Sequence, residues 1–410
     1  MLETEKILPK ALKVLERPVC DHCLGRQFAQ LLSGYTNAER GAVLRTLAAM
    51  SIDNEKLDND IKIDLSNFSG YKFHNLEAEK VREQKCSVCD DLFRNMEKIA
   101  ERVISKVKKY QFRTFLMGTK LSSELTEKEE SLWERAGIDY CEPIKAEINR
   151  ELGKKIEKKA KMKFDLKRPD ANLIVKMPSG AVDIQVNPLF IYGEYQKLVR
   201  GIPQTKWPSG KYKISVEQII AKPFMSATRG KAHKLHGAGR EDIDARCLGW
   251  RPFVLEIVNP VKREINLKAL AKKINMRVRV RNIRFSGINE VRSIKESRHD
   301  KSYRAIVVCE KPITRNDLKK LDSLVEVIRQ KTPTRVLHRR ADRFRKRRLI
   351  SIRAKIINKK TFEIVVRCEA GMYVKELING DSGRTQPSIS QILGMACSCK
   401  ELDVVDIHTN

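Results

Sequence analysis

The alternation of apolar and polar positions changes period along the chain, and each change predicts an element. Leu8, Leu12 and Leu15 recur at helical spacing and predict an opening helix, and residues 38–44 begin another. From 91 to 109, Leu92, Met96, Ile99, Val103 and Val107 keep that spacing. Residues 112–118 read as a strand closed by Gly118, and a long charged helical stretch is expected from 126 to about 163. Runs at 171–176 and 181–186 flank Pro178-Ser179-Gly180, the signal of strand, tight turn and strand. A segment marked by Gly and Pro at 201–208 looks like a boundary. Beyond it, β-branched or alternating runs predict strands at 254–258, 277–285, 304–309, 349–357 and 361–368, with helical intervals at 267–274 and 316–329. The expected fold is α+β: a helical module over 1–90, a mixed α/β region over 91–200, and over 201–410 a mixed, largely antiparallel sheet with helices packed on it.

Composition adds a partner to this picture. Hydrophobic residues make up 41% of the 410, which excludes a disordered chain. Lys and Arg number 82 against 52 Asp and Glu, a net charge of +30, and such an excess points to a polyanion with a phosphate backbone. A membrane surface attracts the same charge, but there is no apolar run of spanning length, no signal-peptide opening and no lipidation motif. A cytoplasmic protein, monomeric and without an obligate protein partner, is expected. The charge is concentrated: residues 331–350 hold nine basic residues against Asp342 alone, with Arg339, Arg340, Arg343 and Arg347 beside a strand that carries Phe344. That run reads as a phosphate track with steep salt dependence. A second run, 154–168, has eight basic residues against Glu157 and Asp165 and reads as a solvated helix face.

The ten cysteines include two Cys-x-x-Cys pairs, Cys20/Cys23 and Cys86/Cys89, separated by 62 residues. Two thiolates at that spacing occupy adjacent corners of a tetrahedron, so two pairs complete a four-cysteine zinc site. A redox dithiol would need a strand before the pair and a helix after it, and neither pair shows both; ordinary buried thiols are the other reading. His22, inside the first pair, reads as a bystander, and the remaining six cysteines as packing residues.

Residues 236–246 combine a Gly-x-Gly turn, Arg240 and two aspartates, Asp242 and Asp244. The third glycine of a dinucleotide fingerprint is missing. A carboxylate beside arginine stays ionised and is suited to act as nucleophile or base, though a surface ion pair has the same spacing.

Gly239-Arg240-Glu241-Asp242 resembles the Gly-Arg-Thr-Asp catalytic box of tRNA pseudouridine synthases. Lys301-Ser302-Tyr303-Arg304 looks like their second motif, a Lys-x-Tyr-Arg opening a strand. The block 371–377 with 380–385, followed by Leu402-Asp403-Val404-Val405, resembles the third. Longer stretches at 186–193, 198–207, 237–248, 251–260 and 332–341 are similar to the archaeal family that acts at uridines 54 and 55 of the TΨC arm. The resemblance implies a zinc-bearing N-terminal module, a THUMP-like RNA-binding region, a C-terminal pseudouridine synthase domain, tRNA as partner, structural zinc and no organic cofactor. It implies that Asp242 is the nucleophile and that Tyr303 and Tyr373 line the uridine pocket. It also places Lys375 near the carboxylate, Arg240 where it helps hold the nucleotide out of its stack, and Leu402 under the pocket. One departure matters: the bacterial-type box continues with Ala-Gly-Val-His, whereas Ile243-Asp244-Ala245-Arg246 follow here, so Asp244 competes with Asp242. The alternatives are another tRNA-modifying enzyme, which needs a cofactor loop or ATP site not evident here, and a THUMP-containing RNA-binding protein without chemistry.

Overall fold

In the computed structural model, which describes residues 4–54, 62–75 and 81–409, the helical periodicity of the first half becomes burial. Met96, Ile99, Val103 and Val107 are buried along the helix Met96–Val107, and Leu92 belongs to the 3-10 turn Leu92–Asn95 that leads into it. The opening helix is Thr4–Val14, and the next long one is Asn37–Asn54. The charged stretch 126–163 is two helices, Ser123–Ala136 and Ile144–Ala160. Gly137 breaks it at φ 84°, a value that favours glycine, and Pro143 brings no N–H to the start of the second helix.

These helices pack on a sheet of β1 (Thr114–Lys120), β2 (Lys163–Phe164), β3 (Ala171–Lys176) and β4 (Ala181–Val186), in the order β2-β1-β3-β4. Gly118 lies inside β1 rather than ending it, and the chain continues extended to Lys120 in parallel register with β3. One apolar core runs from Ala11 to Met177. The unit closes at Asn187, and a second compact unit begins at Pro188. The expected change of character near 200 comes earlier because β5 (Leu189–Lys197) already pairs within the second sheet.

The second unit is built on β5, β6 (Ala232–Gly237), β7 (Arg246–Val258), β8 (Val278–Ser286), β9 (Asp300–Cys309), β10 (Val327–Lys331), β11 (Phe344–Asn358), β12 (Thr361–Cys368), β13 (Thr385–Gln386) and β14 (Cys397–His408). Their order is β13-β10-β11-β12-β9-β14-β7-β5-β8, with β6 also on β7. The predicted mixed, largely antiparallel sheet is present, and its parallel pairing is β7 with β14. Asp403 lies opposite Arg246 across that seam and accepts from it at 2.7 Å, with Arg200 at 2.8 Å and Arg304 at 3.2 Å. Burial works against the Asp403 charge, but Arg246 and Arg200 outweigh it and lower its pKa. Residues 316–329, expected as a helix, contain only the end of Arg315–Lys320 and the 3-10 turn Leu321–Leu324. Val327 begins β10, where Ile328 and Gln330 point inward and Val327 and Arg329 outward, a period of two that tertiary pairing enforces. No described helix is long and apolar enough to cross a membrane.

Candidate active site and cysteine centre

Cys20 precedes the short helix Asp21–Arg26, Cys23 lies in it, and Cys86 and Cys89 flank a turn whose Ser87 N–H donates to Pro18 O at 2.7 Å. That bond ties the two pairs together. The four thiols lie within 4.8 Å of one another. Tetrahedral metal–thiolate bonds of ~2.3 Å set corners ~3.8 Å apart, and Cys20 and Cys89 are 3.6 Å apart. Cys23, Cys86 and Cys89 are buried. Hydrogen bonds from Cys20, Cys86 and Cys89, together with burial, push the Cys23 thiol well up, whereas the hydrogen bonds from Cys20, Cys23 and Cys89 lower Cys86. The buried Arg26 guanidinium lies 3.5 Å from Cys23 Sγ and pairs with Glu129 and Glu147, a charged support behind the thiols. His22 turns away to Glu147 at 2.8 Å and stacks on Phe93, as expected of a bystander. The donor set fits a structural metal.

In the second unit, separate segments converge on a cavity of about 290 Å³ beside the β7–β14 seam. The β6–β7 loop brings Arg240 and Asp242, β9 brings Tyr303, residues 371–375 bring Tyr373 and Lys375, and β14 brings Leu402 as an apolar wall. Asp242 Oδ2 lies 3.3 Å from Arg335 and 3.5 Å from Lys375. Arg335 is shared with buried Glu376 at 2.7 Å, and Lys375 with Asp244 at 2.7 Å. Burial opposes the charge on both cations, but the carboxylates outweigh it and raise both pKa values. Asp244 is lowered in turn by Lys375, against its own desolvation. Burial, with Cys368 nearby, pushes the Tyr303 phenol up, so it stays neutral. Arg340 donates to Tyr373 Oη at 2.9 Å, and the Arg345 guanidinium stands 5.8 Å from the Tyr373 ring centre.

Beneath the cavity the same loop is gripped from below. Glu241 is buried against Arg251 at 3.1 Å, Tyr195 Oη at 3.1 Å and Lys197 at 3.8 Å. These groups also take the loop's carbonyl oxygens: Lys197 donates to Asp242 O at 3.0 Å, Arg251 to Ala238 O at 2.7 Å and Gln204 to Gly239 O at 2.9 Å. Gly239 turns at φ 81°, a backbone conformation that favours glycine, and a Cβ there would press on Arg251 Nη1 at 3.2 Å. Burial acts against the Arg251 charge and is more than offset by Cys247 and Glu241, whereas burial lowers Lys197.

The two competing aspartates differ in place. Asp242 lines the cavity with a side chain 34% exposed, while Asp244, 68% exposed, lies outside it. The basic run is divided by strand geometry. Arg345 and Arg347 alternate inward to the cavity, with Phe344, Lys346 and Arg348 on the exposed face. Arg340 lines the cavity too, Arg343 is exposed just ahead of β11, and the Arg339 side chain lies outside the described residues. Sequence reasoning missed Arg335, hidden in that run and 93 residues from Asp242, and the Glu241–Arg251–Lys197 support. No spacing links these residues: the β6–β7 turn and the β5–β7 pairing gather Glu241, Arg251 and Lys197, and Arg335 comes from the 3-10 turn Thr334–Arg339 between β10 and β11.

Comparisons with known proteins agree with one another. Residues 190–408 match the family model "Pus10, C-terminal", and residues 99–176 match "Pus10 THUMP domain, archaeal". A curated relative from Methanocaldococcus jannaschii, named tRNA pseudouridine synthase Pus10, is 41% identical over 96% of this chain and 92% of its own. Relatives of the same name from Methanothrix thermoacetophila and Pyrococcus furiosus are 38% and 39% identical, each over 98% of this chain and over 94% and 98% of their own. Among solved structures, a Cbf5-Nop10-Gar1 complex overlays 51% of this chain on 47% of that one at 16% identity and a TM-score of 0.31, too partial a likeness to carry weight. With nearly the whole length matched at this identity, and both regional models falling in order along it, the chain belongs to the Pus10 family of tRNA pseudouridine synthases.

Proposed function

We propose that this enzyme isomerises uridines 54 and 55 in the TΨC arm of tRNA, with Asp242 as nucleophile. The observation that carries the reading is a single cavity holding Asp242, Tyr303, Tyr373, Arg240, Lys375 and Leu402. Forming pseudouridine breaks the N1–C1′ bond, turns the uracil and joins C5 to C1′. Asp242 stands within reach of two cations, Arg335 and Lys375, and a carboxylate is a nucleophile suited to that role. Tyr303 and Tyr373 offer aromatic packing to an extruded base, which offsets the few kcal/mol of unstacking. Arg240 helps keep the nucleotide out of the helix, and Leu402 closes the apolar side. No electron or external group enters, so no organic cofactor is required.

The rest of the chain fits the same task. Cys20, Cys23, Cys86 and Cys89 hold zinc that supports the fold of the first unit. Residues 1–90 form the zinc module, the following residues to 187 the THUMP-like domain, and 188–410 the synthase domain. Arg340, Arg343 and Arg347 meet tRNA phosphates, with Arg339 assigned to the same run. The enzyme acts as a monomer in the cytoplasm.

The test is an unmodified tRNA transcript with pseudouridine mapped by mass spectrometry. The native chain should modify positions 54 and 55. Asp242→Asn should abolish turnover while tRNA affinity stays within a few-fold, since most affinity comes from phosphate contacts. Asp244→Asn should stay active. An active Asp242→Asn with a dead Asp244→Asn would move the role two residues along, and tRNA binding by a native chain without turnover would leave only an RNA-binding protein.

A further inference from the structure

Asp242 faces a second cavity, of about 210 Å³, walled by Pro203, Gln204, Thr205 and Trp207 on its far side. Arg240, Arg335 and Lys375 line this cavity and the first alike, as do Glu241 and Asp242, and Asp244 lines the second only, so the two meet along a wall of three cations and two carboxylates. Trp207 is half-buried, its ring edge-to-face with Tyr212 at 5.5 Å, and its carbonyl accepts from Gly210 N–H at 3.1 Å. Gln204 fixes the floor by donating to Tyr195 Oη and Gly239 O, both at 2.9 Å. Isomerising one uridine makes no use of this space.

We infer that the second cavity binds the base of the nucleotide adjoining the reacting uridine, with Trp207 as its stacking platform. The inference rests on the tRNA reading above. Each cavity is smaller than the ~300 Å³ at which drug-sized pockets begin, a size suited to one base. Two adjacent bases are joined by one phosphodiester, which here crosses the shared wall, where exposed Arg240 offers it a charge-assisted hydrogen bond while Arg335 and Lys375 are held by Asp242, Glu376 and Asp244. Drawing one base out of a stack strips its neighbour of a partner, and an indole replaces that partner whatever the base.

The experiment uses the full chain and three unmodified tRNAs, one intact and two with a single abasic ribose on the 5′ or the 3′ side of uridine 55, and follows turnover at position 55 alone. With native enzyme, one of the two abasic tRNAs should lose roughly 10- to 100-fold in kcat/KM, the worth of one stacked base. Trp207→Ala should lose as much on the intact tRNA and nothing further on that abasic one, while Trp207→Phe keeps most activity. Equal turnover of all three tRNAs by native enzyme would overturn the inference, and so would a Trp207→Ala loss that is the same on every tRNA. The parent reading fails separately, if native enzyme does not modify the intact tRNA.

Discussion

The cysteine centre and the Asp242 cavity are assembled alike and finished differently. Each gathers side chains from segments far apart in the chain, and each has an arginine buried behind it, Arg26 behind the thiols and Arg251 behind the loop. The thiols then close on one another, and Arg26 is balanced by Glu129 and Glu147. Asp242 instead remains a third exposed, between cations that line two cavities. That difference is what the proposed roles require: a structural metal site is saturated by its ligands, whereas a reacting site leaves a position for its substrate. Buried charge therefore has opposite meanings in the two regions: it completes the first and only prepares the second.

The comparison breaks most sharply if the cysteine centre holds no metal. Cys86→Ser removes one of four ligands, and in small zinc domains the binding free energy, ~10–16 kcal/mol, is folding free energy. Elemental analysis should show the bound zinc of the native chain lost in this variant. Amide exchange should show the helix Asp21–Arg26 and the 86–89 turn losing protection. Unchanged metal content would exclude this ligand set.

A smaller effect is expected beneath the cavity. Glu241→Gln leaves Arg251 and Lys197 buried without their carboxylate, a change that costs ~3–5 kcal/mol when one partner of a buried pair is removed. The melting temperature should fall, and kcat should fall with it while tRNA affinity holds, because the broken ion pairs set the loop rather than the phosphate surface. A variant as stable and as active as the native chain would show that the carbonyl contacts of Lys197, Arg251 and Gln204 hold Asp242 without help from Glu241.

How much of this is legible in the sequence follows the same division. The cysteine pairs announce themselves because a metal dictates their spacing, and 91–109 does so because one helix face is buried. The hairpin around Pro178-Ser179-Gly180 is equally local. Legibility fails where distant pairing decides. Val327–Lys331 is a strand because β11 pairs with it, and the apparent helix 126–163 is cut by Gly137 and Pro143. In the cavity, motif resemblance finds Asp242, Tyr303 and Tyr373. It does not find Arg335 and Glu241, since an arginine in a basic run and a glutamate beside an aspartate look like ordinary surface residues until the fold sets the first against Asp242 and buries the second.

The smallest effect concerns the charge surplus itself. Arg343 is exposed ahead of β11, while Arg347 lines the cavity, and replacing both with alanine should lower the slope of log tRNA affinity against log salt by up to ~2. Single variants separate their tasks. Arg343→Ala should lower the slope by about 1 and leave kcat unchanged, because a screened surface charge supplies affinity alone. Arg347→Ala should lower kcat/KM as well, since its guanidinium stands beside Gly371, next to the Tyr373 wall. Zinc content should not move in either variant, which separates the open site from the closed one by salt. Should both slopes equal the native one, the basic run is a solvated face and the cations that bind tRNA lie elsewhere.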